Sequence, residues 1–442
     1  MKSKLNVKRT ILVGFAFFLI SAFWQSYDKI VPNILTYRFG MSQTLSGFIM
    51  SLDNIFAVFM LPIFGALSDK VSTRFGRRTP FILLGTVMSV VFYIFLSLAP
   101  SLWLFILLLL FTLISMATFR SPAVALMPDV TEKPLRSKGN AIINLMGTAG
   151  GIAVLAVGLF IKTGEAHADN YPIYVGVVCL IMIAALAVFL LTVKECAWAK
   201  EADARNRALE AEAQNEEETP AVVKHKLTKP EMISLCLILA SVALWFTGYN
   251  AVTSKFSVYV EEVFTFRDAA GNVLADPKVS YDTALLVAQA AAIIAYIPVG
   301  IVSSRFGRKK TILAGVLMLS AAFGFASLID LNTPPIPMYL LFALAGIGWA
   351  TINVNSFPMV VELATGSDVG KYTGFYYTAS MTAQIITPIL SGALVDLIGW
   401  EVFFPYAATF TTLSFITMLF VKHGDVKPQQ KASLLEHLDT DD

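Results

Sequence analysis

Apolar runs recur along almost the whole chain, parted by short polar breaks. Each is about 20 residues long, the length a helix needs to cross a hydrocarbon core about 30 Å thick. Backbone groups in lipid must bond within their own segment, so such runs are helices. They are too long for strands and lack the period-two alternation of a membrane barrel. The pattern predicts twelve helices, near 10–34, 46–69, 79–99, 102–126, 139–162, 172–194, 230–260, 281–303, 310–329, 336–361, 370–395 and 400–421. A polar stretch rich in Ala and Glu, 196–229, separates the sixth from the seventh. It reads as a linker holding a surface helix that ends before Pro220, and 422–442 reads as a loose polar tail. The basic N-terminus leads into a run that continues through Tyr27 and Asp28 with no small-residue cleavage site. That run is expected to be a retained first helix rather than a signal peptide.

Composition agrees with the pattern. Hydrophobic residues make up 56% and charged residues 14% of the chain, against about 25% charged in a soluble domain. A net charge of +2 gives no basis for nucleic-acid binding. Cys179, Cys196 and Cys236 show no metal or redox spacing. No nucleophile–base pair or phosphate loop is evident, so neither an enzyme nor a cofactor is expected. Most of the 33 Lys and Arg fall in the N-terminus, the tail, the linker and the breaks after even-numbered helices. Positive residues stay inside, so both termini are expected in the cytoplasm.

The chain also repeats itself. RFGRRTPFILLG begins at Arg74, and RFGRKKTILAG begins 231 residues later at Arg305. Helix four ends in Pro122, followed by Asp129 and by Lys138 in the next loop; helix ten ends in Pro358, followed by Glu362 and Lys371, and in both copies the acid and the lysine lie nine apart. The predicted architecture is therefore an all-α membrane protein of twelve transmembrane helices in two pseudo-symmetric six-helix bundles, 1–195 and 230–421. Parallel repeats of this kind are a transporter arrangement.

The stretch GALSDKVSTRFGRR resembles the cytoplasmic signature of the major facilitator superfamily, with Gly65, Asp69, Arg74, Gly76, Arg77 and Arg78 in place. Ordinary positive-inside decoration would supply Lys and Arg there, but not the glycines and the acid. The resemblance implies alternating access, with the acid capping a helix end and pairing with basic residues to latch the inner gate. Asp129 and Arg136, and in the second half Arg305, Gly307, Arg308, Glu362 and Lys371, are the expected partners. The continuation RFGRRTPFI is similar to the plant sucrose transporters and their animal and bacterial sugar–proton relatives. This narrower resemblance rests on residues 46–150 and on GWATINVNSFPMVVE in helix ten. It touches the glycoside–pentoside–hexuronide cation symporters more distantly. A sugar substrate, the lipid bilayer of the cell membrane and a monomeric state are the expected partners and setting.

An ionisable group inside a membrane costs about 2.5–3.5 kcal/mol on insertion scales, so each invites a functional reading. Asp28 and Asp53 fall in the outer halves of helices one and two, Arg120 in helix four and Lys255 in helix seven. A proton as coupling ion needs a carboxyl whose surroundings change. Asp53 is the first candidate, because Leu52 and Ile55 flank it; its alternative is packing against Asn54. Asp28 is the second, or else pairs with Lys29 or Lys255 as an outer gate. Lys29 is expected to snorkel to the surface. In the superfamily, helices one, four, seven and ten line the cavity. Here they carry Gln25, Tyr27 and Asp28; Arg120; Trp245, Tyr249 and Asn250; Trp349, Asn353 and Asn355. Amides and aromatics of this kind suit the hydroxyls and apolar ring faces of a sugar. Asn353 and Asn355 lie two apart, so at most one faces the cavity.

Two departures limit the carry-over. The acid and the arginine of helix four in the sucrose transporters are replaced by Leu113 and Val124. The two helix-two acids of the cation symporters are replaced by Leu61 and Ala57, before Pro62. A sodium or other metal site of that pattern is absent, which favours protons. A symporter of other glycosides or uronides, and an exporter of the same fold, remain the alternatives. Gly147, Gly150 and Gly151 are expected to allow close helix approach, and Pro298, Pro358 and Pro388 to permit bends.

Overall fold

A computed structural model of the chain describes residues 4–214, 228–363 and 369–424. The helices in chain order are α1 (Val7–Asn33), α2 (Gln43–Lys70), α3 (Thr79–Ser97), α4 (Leu102–Val130), α5 (Arg136–Phe160), α6 (Tyr171–Thr192), α7 (Glu195–Gln214), α8 (Lys229–Val263), α9 (Tyr281–Phe306), α10 (Arg308–Ala326), α11 (Ile336–Val361), α12 (Val369–Ile398) and α13 (Phe403–Leu419). Among the described residues twelve helices are long and apolar enough to cross a membrane, all but the polar α7. Every expected span is found. The expected linker helix runs at least to Gln214; its expected end before Pro220 and the tail beyond 424 lie outside the described residues.

Helix starts follow local chemistry. Proline stands in the first turn of α3, α6, α8 and α11, where its missing N–H is not needed. Thr228 and Glu231 form a capping box at α8. The Ser280 side chain accepts the Thr283 N–H at 3.2 Å at the start of α9. α2 begins three residues before its apolar run, because a carboxylate distant in sequence, Asp396, accepts the N–H groups of Gln43 (2.8 Å) and Thr44 (2.7 Å). A π-helix, Ile34–Arg38, carries α1 past its expected end.

Packing divides the chain into two compact units. The first holds residues 1–27, 55–162 and 169–221. In it α3 packs along α4 and α6, and α7 lies against α4. A Cβ at Gly150 of α5 would strike the Phe18 backbone of α1, so the expected close approach is there. The second unit holds residues 28–54, 163–168 and 222–442. In it α11 packs on α9 and α10, and α8 on α12 and α13, around the rings of Phe256, Tyr259, Phe342, Phe403 and Phe404. Division by packing thus differs from division by repeat. The adjoining ends of α1 and α2, and the segment joining α5 to α6, pack with α8–α13. The lipid-facing surface is apolar: Trp103, Phe160 and Leu191 are 84–87% exposed, which suits hydrocarbon and not water.

Candidate functional site

Two candidate spans, α1 and α2, return the chain to the side on which α1 starts, the terminal side. The 71–78 turn between α2 and α3 lies there, in the first unit. Gly76 has φ +121°, and a Cβ on it would collide with the carboxyl of Glu195. Glycine therefore meets both demands at once. Glu195, 2% exposed, accepts the backbone N–H of Arg77 (2.7 Å) and Arg78 (2.9 Å) on one oxygen. Its other oxygen accepts the N–H (2.8 Å) and the hydroxyl (2.7 Å) of Thr79. These donors are the open N-terminus of α3, where the helix dipole favours an anion. Sequence reasoning missed this residue, leaving Glu195 at the end of a span.

The cap aims the arginines. Arg78, 5% exposed, donates its Nε to Asp129 at 2.8 Å. Its terminal nitrogens bond Asp69 and Ser68, and one lies 3.4 Å from the Gly65 carbonyl. Arg77 also pairs with Asp129, at 2.9 Å. Arg136 donates to the Pro128 carbonyl at 2.9 Å instead of to an acid. The Arg74 guanidinium lies over the Phe75 ring, 4.7 Å from its centroid. α7 is strapped to the same unit by Arg9–Glu201 (2.7 Å), Arg205–Glu132 (2.7 Å) and the Asn206 side chain on the Lys133 N–H (2.9 Å). The hydrogen bond from Arg9 holds the Glu201 carboxyl below the ordinary glutamate range.

The second copy, in the second unit, is built differently. Gly307 has φ +93° between α9 and α10. Arg308 pairs with Glu362, with Nε at 2.9 Å. Lys309, at the place of Arg78, donates to the carbonyls of Leu419 (3.0 Å) and Val421 (2.6 Å) at the end of α13. The N-cap of α10 is Gly307, which has no side chain to cap the helix. Arg305 and Lys371 are exposed, and Lys371 lies over the Phe375 ring at 5.7 Å.

The far-side half of the second unit holds most of the intramembrane charge. Lys29 does not snorkel. It is 3% exposed and pairs with Asp282 at 2.7 Å, because an acid on α9 meets it inside the protein. Lys255 donates to the Gln43 carbonyl (2.8 Å) and side-chain oxygen (3.3 Å), while Asp396 caps α2 beside it. A Cβ at Gly392 of α12 would strike the Gln43 backbone, so this seam requires glycine. Tyr37 donates to Glu262 (3.0 Å), Arg267 pairs with Glu165 (2.6 Å), and His167 with Asp276 (2.7 Å). Asp28 and Asp53 lie close enough to interact electrostatically. Both are half-buried, so burial does not set Asp53 apart. Asp53 accepts the N–H (2.5 Å) and side-chain amide (2.7 Å) of Asn54.

The candidate substrate groups separate into presented and buried sets. In the first unit Arg120 lies over the Trp24 ring at 5.6 Å, and Gln25 is half-buried. Tyr27 is fully buried, stacked on Phe23 at 5.8 Å and edge-on to Trp24. Its ring is core. In the second unit the half-buried rings of Tyr249 and Trp349 stack at 6.1 Å and 23°. Tyr296 meets Trp349 edge-on at 6.4 Å; it lies on α9, outside the helices expected to line the cavity. Asn353 stands one helical turn beyond Trp349 along α11, but it is buried at 5% exposure and belongs with the buried set. Asn355 is fully buried and bonded to Ser303 and to the Thr351 carbonyl, so both ends of its amide are taken by protein. Trp245 is fully buried, and Asn250 donates to the Phe246 carbonyl of its own helix at 2.8 Å. Among the described residues no cluster of His, Cys, Asp and Glu could hold a metal ion.

The family model described as Major Facilitator Superfamily matches residues 13–276 and 274–438. The chloramphenicol resistance protein CraA of Acinetobacter baumannii is 30% identical over 118 residues, 26% of this chain and 28% of that relative's length. The chain thus aligns with under a third of that relative. Among solved structures, the nucleoside transporter NupG superposes with a TM-score of 0.68 at 14% identity, over 94% of this chain and 100% of the other. A peptide transporter POT in complex with alafosfalin gives 0.68 at 14%, over 94% and 93%. The inward-open xylose transporter XylE from E. coli gives 0.65 at 14%, over 98% of both chains. At such identities the likeness is one of fold.

Proposed function

The chain belongs to the Major Facilitator Superfamily, and from that premise we propose that it carries a sugar, a glucoside or other oligosaccharide, across the cell membrane in symport with protons. The termini and the terminal-side arginines face the cytoplasm in this reading. The observation that carries it is the half-buried Tyr249–Trp349 stack. A pyranose offers an apolar face to an aromatic plane and hydroxyls to amides, and such mixed walls are what small-molecule sites are made of. Asp28 and Asp53, two interacting acids inside the membrane, support proton coupling. Alternating access then uses two latches: Arg77 and Arg78 with Asp69 and Asp129 on the cytoplasmic side, and the ties of Lys29, Lys255 and Asp396 on the outer side.

The likeness to a chloramphenicol resistance protein favours a second reading, an exporter of small apolar solutes. One experiment separates them. Uptake of labelled sucrose, maltose and related glycosides is measured in vesicles under a pH gradient and, in parallel, a sodium gradient. Proton-driven uptake is expected, with kcat/KM falling about tenfold in Trp349→Ala, the loss of roughly 1.4 kcal/mol of stacking, and largely kept in Trp349→Phe. No glycoside uptake under either gradient, with chloramphenicol efflux present, would replace the symporter by the exporter.

A further inference from the structure

Within the second unit one ion pair stands apart from the others. Lys29 of α1 and Asp282 of α9 are 253 positions apart, and their side chains are 4% and 8% exposed. Among the described residues, the buried Lys255 ends on the neutral oxygens of Gln43 and not on an acid, and the Arg267–Glu165, His167–Asp276 and Arg308–Glu362 pairs are more exposed. The pair is also one-sided. Asp282 gives one oxygen to Lys29, while its other oxygen is buried with no hydrogen-bond partner. A buried carboxylate ordinarily uses both oxygens, because each unmet lone pair carries a desolvation penalty. Groups on three elements face the pair. Tyr281 of α9 presents its ring to the ammonium at 5.9 Å. Glu261 of α8 lies close enough to feel the Lys29 charge, and it in turn feels Glu165 and Asp276. Asp28 is the neighbour of Lys29 along α1.

We infer that Asp282 is the proton-binding carboxylate of the far-side latch, and that its protonation breaks the Lys29–Asp282 tie and lets α1 part from α9. The inference rests on the proton-coupled reading above and moves its centre from Asp53, whose carboxylate is bonded to the adjacent Asn54, to a residue that ties two distant helices. The step balances simply. A proton from far-side water adds to a carboxylate oxygen of Asp282. The N–H···O contact with Lys29 breaks, and Lys29 keeps its proton and is hydrated as the helices part. The neutral acid no longer holds the ammonium, so closure loses its charge–charge attraction. Loss of the proton restores the carboxylate and the latch. Acid on the far side therefore favours opening.

The test uses the full chain in lipid nanodiscs without substrate. Spin labels go at Leu45 on α2 and Leu274 between α8 and α9, both exposed, with the three cysteines replaced by Ser. In the wild type the open, long-distance fraction should rise from pH 7.5 to 5.5. One linked proton limits the change in the open-to-closed ratio to about tenfold per pH unit. Asp282→Asn should be open and flat across that range. Lys29→Gln, with no latch to release, should be flat as well, which guards against a single misfolded variant. Exchanging the two charges, Lys29→Asp with Asp282→Lys, should restore closure at pH 7.5. A flat wild type, or a wild-type slope kept in Asp282→Asn, would overturn the inference. If uptake is proton-driven while that slope persists, the latch fails and the symporter stands. If opening titrates through Asp282 while uptake ignores the proton gradient, the symporter fails and the latch stands.

Discussion

Replacing Glu195 with Gln keeps the shape of the side chain but removes its charge and one of its two acceptor oxygens. In the native protein those oxygens take four donors at 2.7–2.9 Å from Arg77, Arg78 and Thr79. Two bonds to one oxygen survive in neutral form. The Thr79 N–H meets an NH2 group instead and loses its bond, while the Thr79 hydroxyl turns to accept from that NH2. Hydrogen bonds to a charged group contribute about 1.5–3 kcal/mol each, and helix caps about 1 kcal/mol. Water can reach the turn once it loosens, so a net loss of about 2–3 kcal/mol is the working figure. By the conversion of 1.36 kcal/mol per factor of ten, that is about 30–150-fold in the local opening equilibrium. Hydrogen exchange of the peptide spanning 74–81, read by mass spectrometry on the lipid-embedded protein, reports it directly. Protection of the first turn of α3 should fall by that factor, while the middle of α3 is unchanged. Equal protection in variant and wild type would refute the claim that Glu195 holds this turn.

Two further expectations come from the terminal side. Asp129→Asn should loosen the gate more than Asp69→Asn, since Asp129 takes both Arg77 and Arg78 at 16% side-chain exposure and Asp69 is 57% exposed; spin-label distances between the ends of α2 and α4 would show the order, and a larger effect at Asp69 would reverse the assignment. Because Arg9 holds the Glu201 carboxyl below the ordinary glutamate range, its stabilising contribution is full at neutral pH and is lost only as pH falls through that lowered value. Lowering pH from 7 to 5.5 should therefore leave exchange in α7 unchanged, whereas 1 M salt, which screens exposed pairs, should speed it; a rise in exchange at pH 5.5 would count against the tie.

Much of this was legible in the sequence, and the rest was hidden for one physical reason. Spans are fixed by composition along a continuous run, so all twelve were readable, and the turn with Gly76, Arg77 and Arg78 announces itself by fixed spacing. Long-range partners carry no such local mark. Glu195 is over a hundred residues from the helix it caps. Asp282 stood at an expected helix start, where an acid is unremarkable, and nothing near it names Lys29. The signal that was present is that an intramembrane lysine needs an anion, and Lys29 was excused by its nearness to the surface. Tyr27 and Asn355 mislead in the opposite way, because an aromatic or amide on a cavity helix looks the same whether it faces outward or into the core.

The duplicated turns are alike in sequence and unlike in what holds them. The first copy is anchored by a carboxylate cap and two acids, the second by one acid and by carbonyls at the end of α13. A frame whose halves were energetically equal would have no preferred order of release. Neutralising an acid weakens the hold of Arg78 and of Arg308 alike, but leaves Lys309 on uncharged carbonyls. A repeat in sequence has thus not stayed a repeat in bonding, and the two turns are not interchangeable parts.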